Sequence, residues 1–466
     1  MSAVEERLTP LDSTFLELEQ ADEGAMMHIG GALIFDALPT GGAPSLEQLR
    51  ALVDERLGTL PRFRRRLSEA RVHGLRRPAW VEDPTFDLRA HVRHAALPAP
   101  GGDSEVHEWL ADFWSHRLDR GRPLWEMTLV DGLESGGWML ATKTHHAMVD
   151  GVGSVDIGHV LLDAEPNPGR RTAAKPPRAG EGEKRALDLP GWLPPAIAAR
   201  IARAAIDTAL HPARLRHAVE AAVAMSEVLW QDEIMAARNS TLNVPISTTR
   251  RFASVAFELS EVKDVKRALG GTVNDVVLAV ATGALRSLLA HRGEELDRPL
   301  RAMVPVNLRG DDHESPGNQV TSLFVELPVA ATDTRRRYER TRAAAAKLKS
   351  GSAALGGSTI VLVAGAAPPL LHESIARMLF APRLFNLTIT NVPGPQFRLY
   401  ALGARMRRIL PLVPLFADHA LGMAIVSYDG ELVFGINADY GATPDLDVLQ
   451  TAMRDEFAML LSLARP

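Results

Sequence analysis

The feature that most constrains the fold is a break in the sequence pattern between residues 164 and 195. This stretch is rich in Pro, Gly, Arg, Lys and Glu and has no apolar periodicity. On both sides of it, short apolar runs alternate with amphipathic helical stretches, which is typical of α/β structure. A chain of 466 residues also exceeds the usual size of a single domain. We therefore predict two α/β domains, residues 1–163 and 196–466, which share a cleft and are joined by a linker at 164–195.

Individual elements follow from the spacing of apolar residues and from turn and capping residues. In the first domain we predict strands at His28–Phe35, Trp125–Asp131 and Trp138–Thr144, and helices at Ser45–Leu57, Glu105–Leu118 and Val152–Leu162. In the second we predict helices at Ala196–Ala237, Thr272–His291, Thr334–Lys349 and Asp445–Leu463, strands at Phe252–Leu259, Leu300–Asn307, Asn318–Leu327 and Asn386–Thr390, and a hairpin, Met423–Asn437, that turns at Asp429-Gly430. The helix at Thr272 is capped by Thr272 or by Asn274.

Composition excludes several classes of function. The 52 Lys and Arg residues are outnumbered by 57 Asp and Glu residues, which gives a net charge of −5 and argues against a nucleic-acid-binding protein. The chain contains no cysteine, so it has neither disulfides nor cysteine metal ligands, and we expect no metal site. An acyl-enzyme on a cysteine thiolate is impossible, and a thioester substrate would need direct transfer or another nucleophile.

The sequence also bears on location. The N-terminal residues have acidic side chains and lack the basic start and apolar core of a signal peptide, so we expect a cytoplasmic protein. Ser350–Leu371 has no charged side chain and is long enough to span a membrane. Its glycines and prolines interrupt it, however, and we predict a buried helix or a lipid-facing wall instead.

The segment His145-His146-Ala147-Met148-Val149-Asp150-Gly151 lies where a predicted strand ends and a helix begins. A neutral imidazole in that position can take the proton of a hydroxyl that attacks a thioester. Adjacent histidines on a strand face opposite sides, so one should reach the cleft while the other packs. Asp150 either orients the histidine or braces the loop against an arginine, and Gly151 gives the backbone freedom to turn.

Five segments together resemble the bacterial wax ester synthase/diacylglycerol acyltransferase family. They are Leu8-Thr9-Pro10-Leu11-Asp12 with Phe15-Leu16 (its PLD segment), Arg122-Pro123-Leu124-Trp125-Glu126 (PLW), His145–Gly151 (HHxxxDG), Val273-Asn274-Asp275-Val276 (ND) and Asn391-Val392-Pro393-Gly394-Pro395 (NVPGP). Peptide-synthetase condensation domains share HHxxxDG, whereas the combined set is much more specific to the family.

The resemblance implies a two-domain chloramphenicol acetyltransferase-like α/β (α+β) fold with its active site in a tunnel between the domains. It also implies an O-acyltransferase that moves a long-chain acyl group from acyl-CoA directly to a diacylglycerol or a fatty alcohol. Acyl-CoA is then a substrate, and no cofactor is expected. Such lipid substrates imply contact with a membrane or a lipid droplet, and the Arg-dotted Ala196–Ala209 helix could lie on an anionic surface or pack on its own protein. The protein would be a monomer or a homodimer.

We assign the general base to His146. Asp150 is interpreted as a brace with Arg309 as its partner, because an unpaired buried carboxylate is costly; in the plainer interpretation Arg309 is a surface residue. Substitution of His145 should have less effect than substitution of His146.

The other family segments suggest supporting roles. Asn274 would offer its amide to the reaction centre while Asp275 fixes the loop, although both residues also suit a helix N-terminus. Pro123 and Trp125 should pack near the catalytic strand. Asn391 begins a segment that we predict to be an irregular turn, because it contains two prolines and a glycine.

Three alternatives remain open. A condensation-type enzyme would use carrier-protein thioesters, and a non-catalytic lipid-binding protein could retain the same fold. A glycerol-phosphate acyltransferase would use His145 and Asp150, in which case His145 should matter more than His146.

Overall fold

The computed structural model describes residues 6–8, 10–58, 60–68, 78–148, 161–167, 237–307, 320–349 and 384–465. Within 1–170 and 237–466, these residues form one compact unit. Most of the predicted linker, nearly all of the predicted helices Val152–Leu162 and Ala196–Ala237, and the whole of Ser350–Leu371 lie outside them. The domain boundaries stay a prediction.

Both halves of the chain contain strands and helices. The helices are α1 Pro10–Ala21, α2 Leu46–Leu57, α3 Leu88–His91, α4 Asp103–Ser115, α5 Leu259–Leu269, α6 Val273–His291, α7 Thr334–Lys349 and α8 Leu446–Ala464. The strands are β1 Glu6–Arg7, β2 His28–Phe35, β3 Arg65–Leu67, β4 Ala79–Glu82, β5 Val92–Ala96, β6 Trp125–Asp131, β7 Trp138–His145, β8 Arg250–Glu258, β9 Leu300–Asn307, β10 Val320–Leu327, β11 Leu387–Pro393, β12 Tyr400–Ala401, β13 Ala404–Leu412, β14 Leu421–Tyr428 and β15 Glu431–Asp439.

The first large sheet has the strand order β12-β13-β2-β7-β6-β5. Strand β7 lies at its centre and is antiparallel to both β2 and β6. All eight residues of β7 are buried, and the Trp138 ring stacks on Phe35 with 4.1 Å between ring centroids. Two of the six strands, β12 and β13, come from the C-terminal half of the chain. This sheet therefore contains strands from both halves of the chain. Its central strand, β7, is buried up to its last residue, His145.

The second large sheet has the order β10-β9-β11-β14-β15-β8. Helix α6 lies in the core beside it, and most of its side chains are buried. It is the one described helix that is long and apolar enough to cross a membrane, but 72% of its most apolar window is buried inside the protein. The β14–β15 hairpin turns at Asp429 and Gly430, with φ angles of 42° and 91°. This confirms the predicted turn, which requires positive φ at both residues.

Several predicted elements are confirmed to the residue, including β2, β9 and α7. Ser45 caps α2 with a reciprocal bond to Gln48, as its position before an apolar stripe predicts. The predicted bounds of α4, Glu105–Leu118, were wrong, because the helix runs from Asp103 to Ser115. Its start is capped by Glu105, which accepts a hydrogen bond from the Gly102 N–H at 2.8 Å.

The prediction of an irregular turn from Asn391 onward was wrong at its first three residues. Asn391, Val392 and Pro393 continue β11 and pair in parallel with β14 up to Ser427. Proline is tolerated there because it occupies the last position of the strand. The chain leaves the sheet only at Gly394.

Candidate active site

Strand β7 carries His145 and His146 to the site. The backbone N–H of His145 donates to the carbonyl of Leu124 at 2.9 Å, and that of His146 donates to the carbonyl of Met27 at 2.8 Å. Residues His146–Met148 then form a single 3-10 turn. The pair thus lies at a strand end, as predicted, and both backbones are held by neighbouring segments.

The two imidazoles have different surroundings. The side chain of His145 is 1% exposed, whereas His146 is only partly buried. The His146 ring stacks on Phe15 of α1, with 3.9 Å between centroids and 23° between planes. One histidine thus packs inside while the other is partly exposed, but the alternation expected of two strand residues does not apply, because β7 ends at His145 and His146 begins the turn.

The electrostatic environment keeps His146 neutral. Desolvation lowers its pKa to about 4, against a smaller opposing effect of its own backbone carbonyl. Its Nδ1 atom is buried and has no hydrogen-bond partner of good geometry among the described residues. At neutral pH the ring is therefore a free base that can accept a proton.

His145 belongs to a buried polar cluster that the sequence did not reveal. Its Nε2 lies 3.5 Å from Glu19 Oε2, and His28 Nε2 lies 3.4 Å from Glu19 Oε1. Arg120 also donates to Glu19, at 2.6 Å. Burial alone would raise the pKa of Glu19, but its contacts with His145 and His28 outweigh that effect and hold the pKa well below its ordinary value. The cluster therefore contains a buried carboxylate anion.

One signal in the sequence could have pointed to this cluster. Phe15 and Glu19 are four residues apart in α1, so they lie on the same face of that helix. Phe15 contacts His146, and Glu19 contacts His145. Helix α1 is thus the element that meets both histidines.

A second group forms at the N-terminus of α6. Thr272, rather than Asn274, caps the helix, and Asp275 Oδ2 accepts hydrogen bonds from Thr272 N–H at 2.7 Å and from its hydroxyl at 2.8 Å. The amide of Asn391 donates to Asn274 Oδ1 at 3.3 Å. The structure thus joins the segments that resemble ND and NVPGP. Within the described residues no hydrogen bond links this group to His146.

The PLW-like segment lies beside strand β7. Leu124 accepts the His145 N–H, and Trp125 pairs with Thr144 in the sheet. Trp125 is 1% exposed and its indole N–H donates to the carbonyl of Phe63 at 2.8 Å. Pro123 is buried as well. These residues pack beside β7, as expected, and their supporting role stays a prediction.

Three predicted site residues, Asp150, Gly151 and Arg309, lie outside the described residues. The Asp150–Arg309 pair therefore stays a prediction. In the described part of the chain, no group of three His, Asp or Glu side chains is arranged to hold a metal ion.

Comparison with known proteins identifies the family. The model of the wax ester synthase/diacylglycerol acyltransferase catalytic domain matches residues 8–277, and the model of the WS/DGAT C-terminal domain matches residues 316–461. The chain belongs to the wax ester synthase/diacylglycerol acyltransferase family. It is an acyltransferase, and the resemblance drawn from the five sequence segments is confirmed.

Two relatives from Mycobacterium tuberculosis H37Rv match the chain over nearly its whole length. "Probable diacylglycerol O-acyltransferase tgs1" is 31% identical over 465 residues, which cover 98% of this chain and 96% of that protein. "Probable diacylglycerol O-acyltransferase tgs2" is 33% identical over 457 residues, which cover 95% of this chain and 96% of that protein.

Solved structures confirm the predicted fold class. The wax ester synthase/diacylglycerol acyltransferase of Marinobacter aquaeolei VT8 matches with a TM-score of 0.68 and 28% identity, over 99% of this chain and all of that one. The first condensation domain of the calcium-dependent antibiotic synthetase matches with a TM-score of 0.59 and 17% identity, over 100% of this chain and 98% of that one. The second likeness concerns the fold alone.

Proposed function

We propose that this enzyme transfers a long-chain acyl group from acyl-CoA directly to a lipid hydroxyl, with His146 as the general base. The acceptor would be a diacylglycerol, giving a triacylglycerol, or a fatty alcohol, giving a wax ester. The observation that carries the proposal is the state of His146: a neutral, partly exposed imidazole in the turn that follows a fully buried strand. Its relatives are named as diacylglycerol acyltransferases, which favours diacylglycerol as the acceptor.

The reaction needs one proton acceptor and one leaving group. His146 takes the proton of the acceptor hydroxyl while the oxygen attacks the thioester carbonyl. The C–S bond then breaks, and the CoA thiolate leaves and recovers the proton. Because the chain lacks cysteine, this direct transfer avoids a cysteine acyl-enzyme, and it needs no cofactor besides the acyl-CoA substrate. We place the amide of Asn274 near the reacting carbonyl.

The lipid substrates suggest where the enzyme works. We propose that it acts in the cytoplasm, as a peripheral protein on a membrane or lipid-droplet surface, and that the Arg-dotted segment Ala196–Ala209 binds anionic lipid. That segment lies outside the described residues. Changing Arg200 and Arg203 to Glu should abolish binding to anionic vesicles, and unchanged binding would exclude the segment.

The test of substrate class is an assay of purified protein with palmitoyl-CoA and either a diacylglycerol or hexadecanol, without any carrier protein. The expected result is ester formation that is lost in His146→Ala. Ester formation only after a carrier-protein thioester is supplied would favour the condensation-type alternative. No ester in either case, with substrate binding retained, would favour a lipid-binding protein.

A further inference from the structure

The surroundings of His145 define which of its nitrogens carries the proton. The backbone N–H of Ala147 donates to His145 Nδ1 at 3.0 Å. An imidazole nitrogen that accepts a hydrogen bond has no proton of its own, so the neutral ring must carry its proton on Nε2. This excludes a free lone pair on either nitrogen of His145.

The Nε2 atom of His145 faces a carboxylate. Glu19 Oε2 lies 3.5 Å from it. The two atoms do not meet hydrogen-bond geometry, so the contact is electrostatic, and burial makes it less screened than it would be in water. Both side chains are almost fully buried, with 1% and 3% of their surface exposed. The buried anion favours the tautomer whose N–H points towards it.

We propose that Glu19 is a positioning residue that acts through His145 on His146. Glu19 holds His145 in the Nε2–H tautomer, His145 Nδ1 then binds the Ala147 amide, and that bond fixes the turn His146–Met148. The inference rests on the proposed function of His146 as the base. It also assigns His145 a structural role that is incompatible with proton transfer.

The position of Arg120 should allow the protein to fold when Glu19 is replaced by Gln. Its guanidinium donates to Glu19 Oε2 and also to the carbonyl of Leu16, at 3.1 Å. With 36% of its side chain exposed, Arg120 stays solvated if the carboxylate is replaced. Glu19→Gln therefore removes the negative charge without leaving a buried, unpaired cation, which would be strongly destabilising.

Two substitutions at His145 separate its two nitrogens. In His145→Asn the amide oxygen takes the place of Nδ1, so the bond from the Ala147 amide can persist. In His145→Gln the amide group takes the place of Nε2, and the Ala147 amide loses its acceptor. We expect kcat of His145→Gln to fall at least about tenfold below that of His145→Asn, because small misplacements of a catalytic group reduce rates steeply.

Glu19→Gln should lower kcat roughly 10- to 100-fold while leaving KM and the acid limb of the pH–rate profile in place. The matched control is Glu456→Gln. Glu456 is as buried as Glu19 and accepts a hydrogen bond from Arg337 Nε at 3.0 Å, between α8 and α7. Because Arg337 is itself only 3% exposed, Glu456→Gln should lose at least as much thermal stability as Glu19→Gln, with little change in kcat at a temperature where both variants are folded.

Three results would overturn the inference: equal kcat in the two His145 variants, equal kcat in Glu19→Gln and Glu456→Gln, or an acid limb that shifts in Glu19→Gln. His146→Ala, measured alongside, tests the proposed function separately. If it is inactive while the Glu19 and His145 comparisons show no difference, only the positioning role fails. If it keeps the wild-type kcat, the proposed function fails and the inference fails with it.

Discussion

Replacing Phe15 by alanine would uncover one face of the His146 ring. The two rings stack at 3.9 Å, and Phe15 itself is 7% exposed. Loss of a buried phenylalanine side chain costs about 3–5 kcal/mol in folding free energy. The variant should therefore be less stable, and its activity must be measured below its own unfolding temperature.

The expected effect on catalysis concerns pH. Desolvation lowers the pKa of His146 from 6.5 to about 4, which corresponds to roughly 3 kcal/mol in favour of the neutral ring. If Phe15 provides about half of that desolvation, Phe15→Ala raises the pKa by roughly one unit. A base is active only when it is deprotonated, so the acid limb of kcat/KM moves to higher pH. Near pH 5 the deprotonated fraction of the base falls from roughly 0.9 to roughly 0.5, so the variant should lose about twofold more activity there than it loses at pH 7.5.

Phe385→Ala is the matched control. Phe385 is buried in the same apolar cluster as Phe15 and stacks on a different histidine, His419, with 4.0 Å between centroids. Its replacement should cost similar stability and leave the acid limb in place. The measurement is kcat/KM for acyl transfer between pH 4.5 and 8. An unmoved acid limb in Phe15→Ala, or an equal shift in Phe385→Ala, would refute the assigned effect of Phe15.

Two further predictions concern the second half of the chain. Asn274→Ala should lower kcat about tenfold with little change in melting temperature, because Thr272 and Asp275 cap the helix without it; loss of activity only in proportion to loss of stability would indicate a structural residue. Gly430→Ala should lower the free energy of unfolding by about 1–2 kcal/mol, because φ is 91° at that position, and should leave kcat unchanged. Urea unfolding measures this, and an unchanged midpoint would contradict it.

Local signals explain which parts of the fold could be predicted. Strand β2, helix α7 and the Asp429-Gly430 turn depend on apolar periodicity, caps and turn residues within a few positions. Strand β13 was not predicted, because three arginines interrupt its apolar pattern and its partner is β2, more than 300 residues earlier in the chain. Its Arg407 pairs with Asp36 at 2.5 Å, a contact that only the tertiary structure reveals.

The residues of the site were likewise predictable only where a local sequence signal marks them. His145 and His146 stand out because a strand-like run ends in two imidazoles. Glu19 does not stand out, since a glutamate in a polar-looking helix ordinarily faces solvent. Its burial depends on His28, His145 and Arg120, which belong to three other segments of the chain. The segment that begins at Asn391 was predicted wrongly because its local signal was ambiguous. Proline usually marks a turn, but here Pro393 ends a strand.

The most direct test of the central claim is the single-turnover rate of acyl transfer from palmitoyl-CoA to a lipid alcohol by His146→Ala. If His146 is the general base, the rate at pH 7.5 should fall by about 10²- to 10⁴-fold, with the melting temperature and acyl-CoA affinity close to those of the wild type. A rate within a few-fold of the wild type, in a folded variant that binds acyl-CoA, would contradict the assignment of His146.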